Sequence, residues 1–213
     1  MNREEEKALK GLMFASEKPE MIELKLHAHK LSAAYNRLDE DQTEERKKIL
    51  KELFAEFGDG SGMLGPIFVH YGRHTKIGKN CWFNFNLVIQ DDGPVTIGDN
   101  CNIGPNVTIV TPQHSLIADE RLHMLDDDGT EQFMVYARPV TIGKSVWIGA
   151  SVTICPGVTI GDNCVIGAGS VVTKDIPANS VAVGDPCKVV RTITEKDSLK
   201  YHPEILGNSR VIE

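Results

Sequence analysis

Residues 140–172 read VTIGKSVWIGASVTICPGVTIGDNCVIGAGSVV, and the spacing within this stretch decides the fold. Ile142, Ile148, Ile154, Ile160, Ile166 and Val172 stand in strict register at every sixth position. Val140, Val146, Val152 and Val158 run two residues ahead of them, and Gly143, Gly149, Gly161 and Gly167 each directly follow a member of the first series. A helix repeats near 3.6 residues and a simple strand every two, so neither yields a six-residue comb. An aliphatic residue followed by a small one at a short fixed period is the pattern of a β-solenoid. Each short edge turns one aliphatic side chain inward, and three edges close a coil of about eighteen residues. Glycine after the comb residue is expected at a tight corner, where its freedom at positive φ lowers the cost.

The comb continues upstream through Ile77, Phe83 and Ile89, and then Ile97, Ile103 and Ile109. The step from Ile89 to Ile97 is two residues too long, so extra chain loops out around Asp91–Pro94. Between Ile109 and Ile142 the comb breaks. The intervening segment, residues 111–138, is polar and acidic and includes His114 near its start and Asp126-Asp127-Asp128-Gly129 further on. Long excursions from a rigid scaffold are where function concentrates. The aspartate run lacks the spacing and closing glutamate of an EF-hand and reads as a solvated loop tip.

The first sixty residues differ in kind. Helices are expected over residues 4–14 and 20–36, separated by Pro19, and over 43–57 with Ile49, Leu50, Leu53, Phe54 and Phe57 on one apolar face. Gly58-Asp59-Gly60-Ser61-Gly62 lacks the Lys-Ser/Thr of a phosphate-binding loop and is expected as a flexible linker. The chain thus divides into an N-terminal helical segment, 1–60, a solenoid, 66–190, and a tail, 191–213, in which Thr194 caps a short helix. Helices at one end and the tail at the other would cover the open coils.

At 41% hydrophobic residues the chain suits one large core, and a net charge of −7 argues against a sequence-independent nucleic-acid binder. No apolar run is long enough for a membrane span, and the acidic start does not read as a signal peptide. The cysteines Cys81, Cys101, Cys155, Cys164 and Cys187 form no CxxC pair, which fits a reducing, cytoplasmic setting.

The comb, Asn84-Phe85-Asn86 with Asp91-Asp92, the loop histidine His114, and the run Gly167-Ala168-Gly169-Ser170-Val171-Val172-Thr173-Lys174-Asp175-Ile176-Pro177 together resemble the hexapeptide-repeat acyltransferases, and among them the galactoside and maltose O-acetyltransferase family. That resemblance implies a mainly β protein, a left-handed parallel β-helix with an N-terminal helical segment and a loop excursion near residues 111–138, assembled as a homotrimer with active sites between subunits. It implies acetyl-CoA as co-substrate, no metal, and a hydroxyl of a small sugar as acceptor. His114 matches the family's general base, a role that suits an imidazole titrating near neutral pH. Glu131 is its expected orienting partner. Asn84 and Asp92 match acceptor-binding positions, where an amide and a carboxylate suit hydroxyls that both donate and accept. Trp82 stands where an aromatic face stacks on the sugar ring. Trp147, Ala150, Ala168, Thr173, Lys174, Lys188 and Arg191 match the coenzyme A groove, with the three basic residues suited to nucleotide phosphates. A backbone amide near Gly149-Ala150 is expected to receive the thioester oxygen as negative charge develops.

Two positions depart from the family. Its helical acceptor-binding aspartate appears here within Ala15-Ser16, and an arginine about ten residues on appears as Lys25. Sugar identity is therefore open, and an antibiotic hydroxyl remains an alternative acceptor, with Trp82, Phe83 and Phe133 as its apolar contacts. A γ-type carbonic anhydrase would need three converging histidines, for which only His70, His74 and His114 offer themselves. A non-catalytic scaffold is the third reading. The remaining histidines, His27, His29, His123 and His202, carry no motif.

Overall fold

The computed structural model describes residues 1–122 and 124–212 of the chain, so His123 lies outside the described residues. The comb becomes three parallel walls of a β-helix of about six turns. Comb residues six apart fall on successive walls, and those one coil apart stack. On the first wall Ile77, Ile97, Ile142 and Ile160 are direct partners. On the second they are Phe83, Ile103, Ile148 and Ile166, and on the third Ile89, Ile109, Ile154 and Val172. All of them are buried in one continuous core, which the valines two residues ahead complete. The Phe83 side chain is wholly inside this core and cannot serve as a pocket wall.

The glycines after the comb residues have a different reason from the one expected. None has a positive φ; the left-handed residues stand two positions later, at Ser145, Ser151 and Asn163. Asparagine and serine tolerate that region because a short polar side chain bonds locally, and Asn163 donates to the equivalent Asn179 one coil on. The glycines are required instead by close stacking. A Cβ at Gly149 would lie 2.6 Å from the Ala168 nitrogen, and one at Gly143 2.7 Å from the Asp162 nitrogen.

The glycine-rich run is not a linker. Glu56–Phe57 and Gly62–Met63 already pair in parallel with Thr75–Ile77 and Trp82–Phe83, so the run forms a corner of the first coil. A Cβ at Gly58 would meet Gly78 at 2.4 Å. The helices are α1, Arg3–Leu9, α2, Pro19–Tyr35, and α3, Thr43–Leu53. Leu50, Leu53 and Phe54 close the first coil from α3 and its end, and Ala28 and Tyr35 join them from α2. At the other end the last parallel strand, Ser180–Val183, turns back as Lys188–Thr192. Thr194 and Asp197 then form a capping box on a short 3-10 turn.

One corner, between the third and first walls, is irregular in every early coil. Val69 to Ile77 takes eight residues where six are regular, and Ile89 to Ile97 again takes eight. In the next coil the excursion leaves from the same corner. Tyr71, Asp91, Asp92 and His114 therefore belong to one edge of the prism.

Helix α1 is shorter than expected. The chain leaves it at Leu9, passes Gly11 at φ +68, and Phe14–Ala15 becomes a strand antiparallel to Met134–Ala137 of the excursion. Met134–Ala137 also pairs with Pro112–Gln113. The aspartate run is not a solvated tip. Asp126 is 4% exposed and accepts from Lys7 at 2.7 Å and Lys18 at 2.5 Å. Asp127 pairs with Arg3 and Lys7, and Asp128 with Lys18. The excursion is thus clamped to the N-terminal segment.

Candidate active site

The widened corner gathers buried polar groups that the rest of the solenoid lacks. The Asp91 carboxylate accepts from the Tyr71 amide and the Thr75 hydroxyl, both at 2.8 Å. Burial nevertheless pushes its pKa up. Asp92 is 3% exposed, and its Oδ2 has no hydrogen-bond partner among the described residues. Burial, then the adjacent Asp91 charge, raises its pKa to about 7. Near neutrality such a carboxyl both donates and accepts, which is what a substrate hydroxyl requires. The Tyr71 hydroxyl is a second buried polar atom without a partner, and burial together with the Asp92 charge pushes its pKa up. Sequence reasoning missed Tyr71; the signal available was the long step from Val69 to Ile77, which aligns it with Asp92.

His114 directly follows Pro112–Gln113 and is exposed at this edge, its ring 5.3 Å from that of Phe133. The two short strands that Met134–Ala137 holds antiparallel fix where this ring emerges. Glu131 lies on a hairpin opposite Leu125 and leads through Gln132 to Phe133. Thr173 and Lys174 follow Val172 and emerge, exposed, at the same edge two coils further on.

The other expected residues lie elsewhere. Trp82 and Trp147 share an outward column of the second wall, with Asn102 between them, and are 47% and 58% exposed. Asn84, Ala150 and Ala168 stand at the corner between the second and third walls. There the Gly149 amide already donates to Ile166 O at 2.8 Å, whereas the Ala150 amide makes no hydrogen bond among the described residues. Ala150 is therefore the free donor of that pair. Lys188 and Arg191 lie on the returning strand, where Arg191 forms a two-pronged ion pair with Asp197 at 2.7 and 2.8 Å. Its charge is shared, while Lys174 and Lys188 form no ion pair among the described residues.

One chain thus carries two incomplete constellations. A base and a buried carboxyl occupy one edge; a free amide, small residues and indole faces occupy the next edge and wall. His70 and His74 do not complete a metal site with His114: His74 is buried against Asp91 O and Glu5, and no group of three or more metal-binding side chains occurs among the described residues. No described helix is long and apolar enough to cross a membrane.

A solenoid of hexapeptide coils with a histidine-bearing excursion at one edge defines a hexapeptide-repeat transferase. Residues 139–174 match the bacterial transferase hexapeptide model, residues 94–112 the hexapeptide repeat of succinyl-transferase, and residues 7–58 the maltose acetyltransferase hexapeptide capping motif. The chain is 42% identical over 201 residues to galactoside O-acetyltransferase from Escherichia coli K12, covering 94% of this chain and 95% of the relative. It superposes with a TM-score of 0.83 on a maltose O-acetyltransferase from Clostridium difficile 630, at 41% identity over 90% of this chain and 98% of that one. A galactoside acetyltransferase solved in complex with coenzyme A gives the same TM-score at 42% identity, covering 92% and 94%. The chain belongs to the galactoside and maltose O-acetyltransferase family of hexapeptide-repeat acyltransferases.

Proposed function

We propose that the protein transfers an acetyl group from acetyl-CoA to a hydroxyl of a small sugar, in sites completed between subunits of a trimer. The observation that carries this reading is the division of the polar machinery between two edges of one prism. His114, Asp92, Thr173 and Lys174 lie on one, and Asn84, Ala150 and Ala168 on the other. Cyclic assembly would bring the first edge of each subunit against the second edge of its neighbour, three times over.

In this mechanism Asp92 and Asn84 hold the acceptor, with Trp82 against its ring. His114 takes the hydroxyl proton as the oxygen attacks the thioester carbonyl, and Glu131 holds the imidazole. The Ala150 amide donates to the developing oxyanion, a contact made stronger in the transition state than in the ground state. The C–S bond then breaks, and the thiolate recovers the proton from the imidazolium, so no acyl-enzyme is needed. Trp147 flanks the pantetheine arm, while Lys174 and Lys188 meet the nucleotide phosphates and Arg191 lines the groove.

Thiol release from acetyl-CoA, followed across simple sugars, their glycosides, amino sugars and hydroxylated antibiotics, tests the reading. Turnover is expected on several small sugars at a primary hydroxyl, with high KM and little discrimination, because Ser16 and Lys25 replace the family's more distant charged contacts. Activity confined to a polycyclic or macrocyclic drug would overturn it.

A further inference from the structure

A groove of about 350 Å³ runs between α2 and the first two strands of the third wall. Its floor is Phe68 and Val88, and Ala33 stands on its helical side. Three observations tie this groove to the acceptor site. Gln90 lines it, and the Gln90 side chain also faces the Asp92 carboxyl. His70 lines it and packs edge-on against Tyr71, ring centroids 4.6 Å apart. Ser32, 5% exposed, also lines it, and its hydroxyl has no partner among the described residues.

The groove carries no charge near neutral pH. Burial, helped by the Lys25 charge, lowers the pKa of His70 to about 4 and pushes that of His29 down, so both rings stay neutral. Phe68 is 54% exposed. An apolar concavity with a few placed polar atoms is the usual form of a small-molecule site. A molecule that presents a hydroxyl to Asp92 has this groove as the continuation of its site past Gln90 and His70.

We propose that the groove is a subsite for a flat apolar substituent, such as an aromatic ring, carried on the end of the acceptor remote from the acetylated hydroxyl. The inference rests on the sugar reading above. It assigns the remote end to Phe68, Val88 and the Ser32 hydroxyl, in place of the charged contacts that Ser16 and Lys25 do not supply. Lys25 is itself paired with Glu17 at 3.0 Å.

The test compares phenyl and methyl β-glycosides of one sugar as acceptors for the full chain. The phenyl glycoside is expected to have a KM lower by about tenfold, the discrimination of one well-filled apolar pocket. Ala33→Phe, an exposed helix position that folding tolerates, should fill the groove and abolish that ratio. Ser32→Ala should reduce it for a ring bearing a hydrogen-bond acceptor. Calorimetric titration of the phenyl glycoside, without acetyl-CoA, separates this idea from the sugar reading. Binding lost in Ala33→Phe supports the subsite even if neither glycoside is acetylated. Acetylation of both glycosides at equal KM, or a phenyl-to-methyl ratio that Ala33→Phe leaves intact, refutes the subsite alone. Dissociation of the oligomer in Ala33→Phe would make the groove an interface and overturn it as well.

Discussion

His114→Ala is expected to lower kcat by about 10²–10⁴-fold, the usual consequence of losing a general base, while leaving the KM for acetyl-CoA nearly unchanged. The ring sits at the edge with Asp92, where the acceptor hydroxyl is to be bound. Its nearest ring is Phe133, so its loss removes no core contact and should not disturb folding. The variant is best read by steady-state kinetics with both substrates varied, alongside a melting curve. A kcat above about a tenth of wild type would place the base elsewhere. A rise confined to the KM for acetyl-CoA would instead put His114 in the donor groove.

The second large effect concerns Asp92. An aspartate in an unfolded chain loses its proton near pH ~4, whereas this one holds it to about pH 7. Between those values the native state carries a proton that the unfolded state has released, so stability falls as pH rises through this window and the loss is complete above it. A difference of that size amounts to about 4 kcal/mol when fully developed. Asp92→Asn keeps the shape and removes the charge. In chemical denaturation the variant should gain on wild type by about 2–4 kcal/mol between pH 5 and pH 8. Comparing the two proteins cancels the opposite trend from His70, whose lowered pKa adds stability as pH rises. The same substitution should reduce kcat/KM for every acceptor, since it alters a contact beside the reacting centre. Parallel pH profiles for the two proteins would mean that Asp92 does not carry a buried charge.

Much of this architecture is written in the sequence because the comb is local. Every sixth residue must face the core, so Ile142 through Val172 predict their own stacking, and the long step after Ile89 predicts the widened corner at Asp91–Pro94. Features that depend on what stacks above are less legible. Gly149 and Gly143 look like turn residues until the next coil is in place, when the space they leave proves to be filled by backbone. The run at Gly58–Gly62 looks like a linker for the same reason. The clamp of Asp126, Asp127 and Asp128 on Arg3, Lys7 and Lys18 joins segments more than a hundred residues apart, and no periodicity announces it. For the site, resemblance supplied the residue types, but only the fold reveals that His114 and Ala150 stand on different edges. Tyr71 carried no motif at all, and its place beside Asp92 comes from coil stacking.

That separation of edges permits a direct test. His114→Ala disables one edge, and Ala168→Trp, at an exposed position, obstructs the other. Each variant alone should be nearly inactive. If every site takes one edge from each of two subunits, co-expressed variants that assemble at random should recover roughly a quarter of wild-type sites, because one neighbour pairing in four unites two intact edges. Activity of the mixture no greater than the sum of the separate variants would contradict a shared site and return the whole reaction to a single chain.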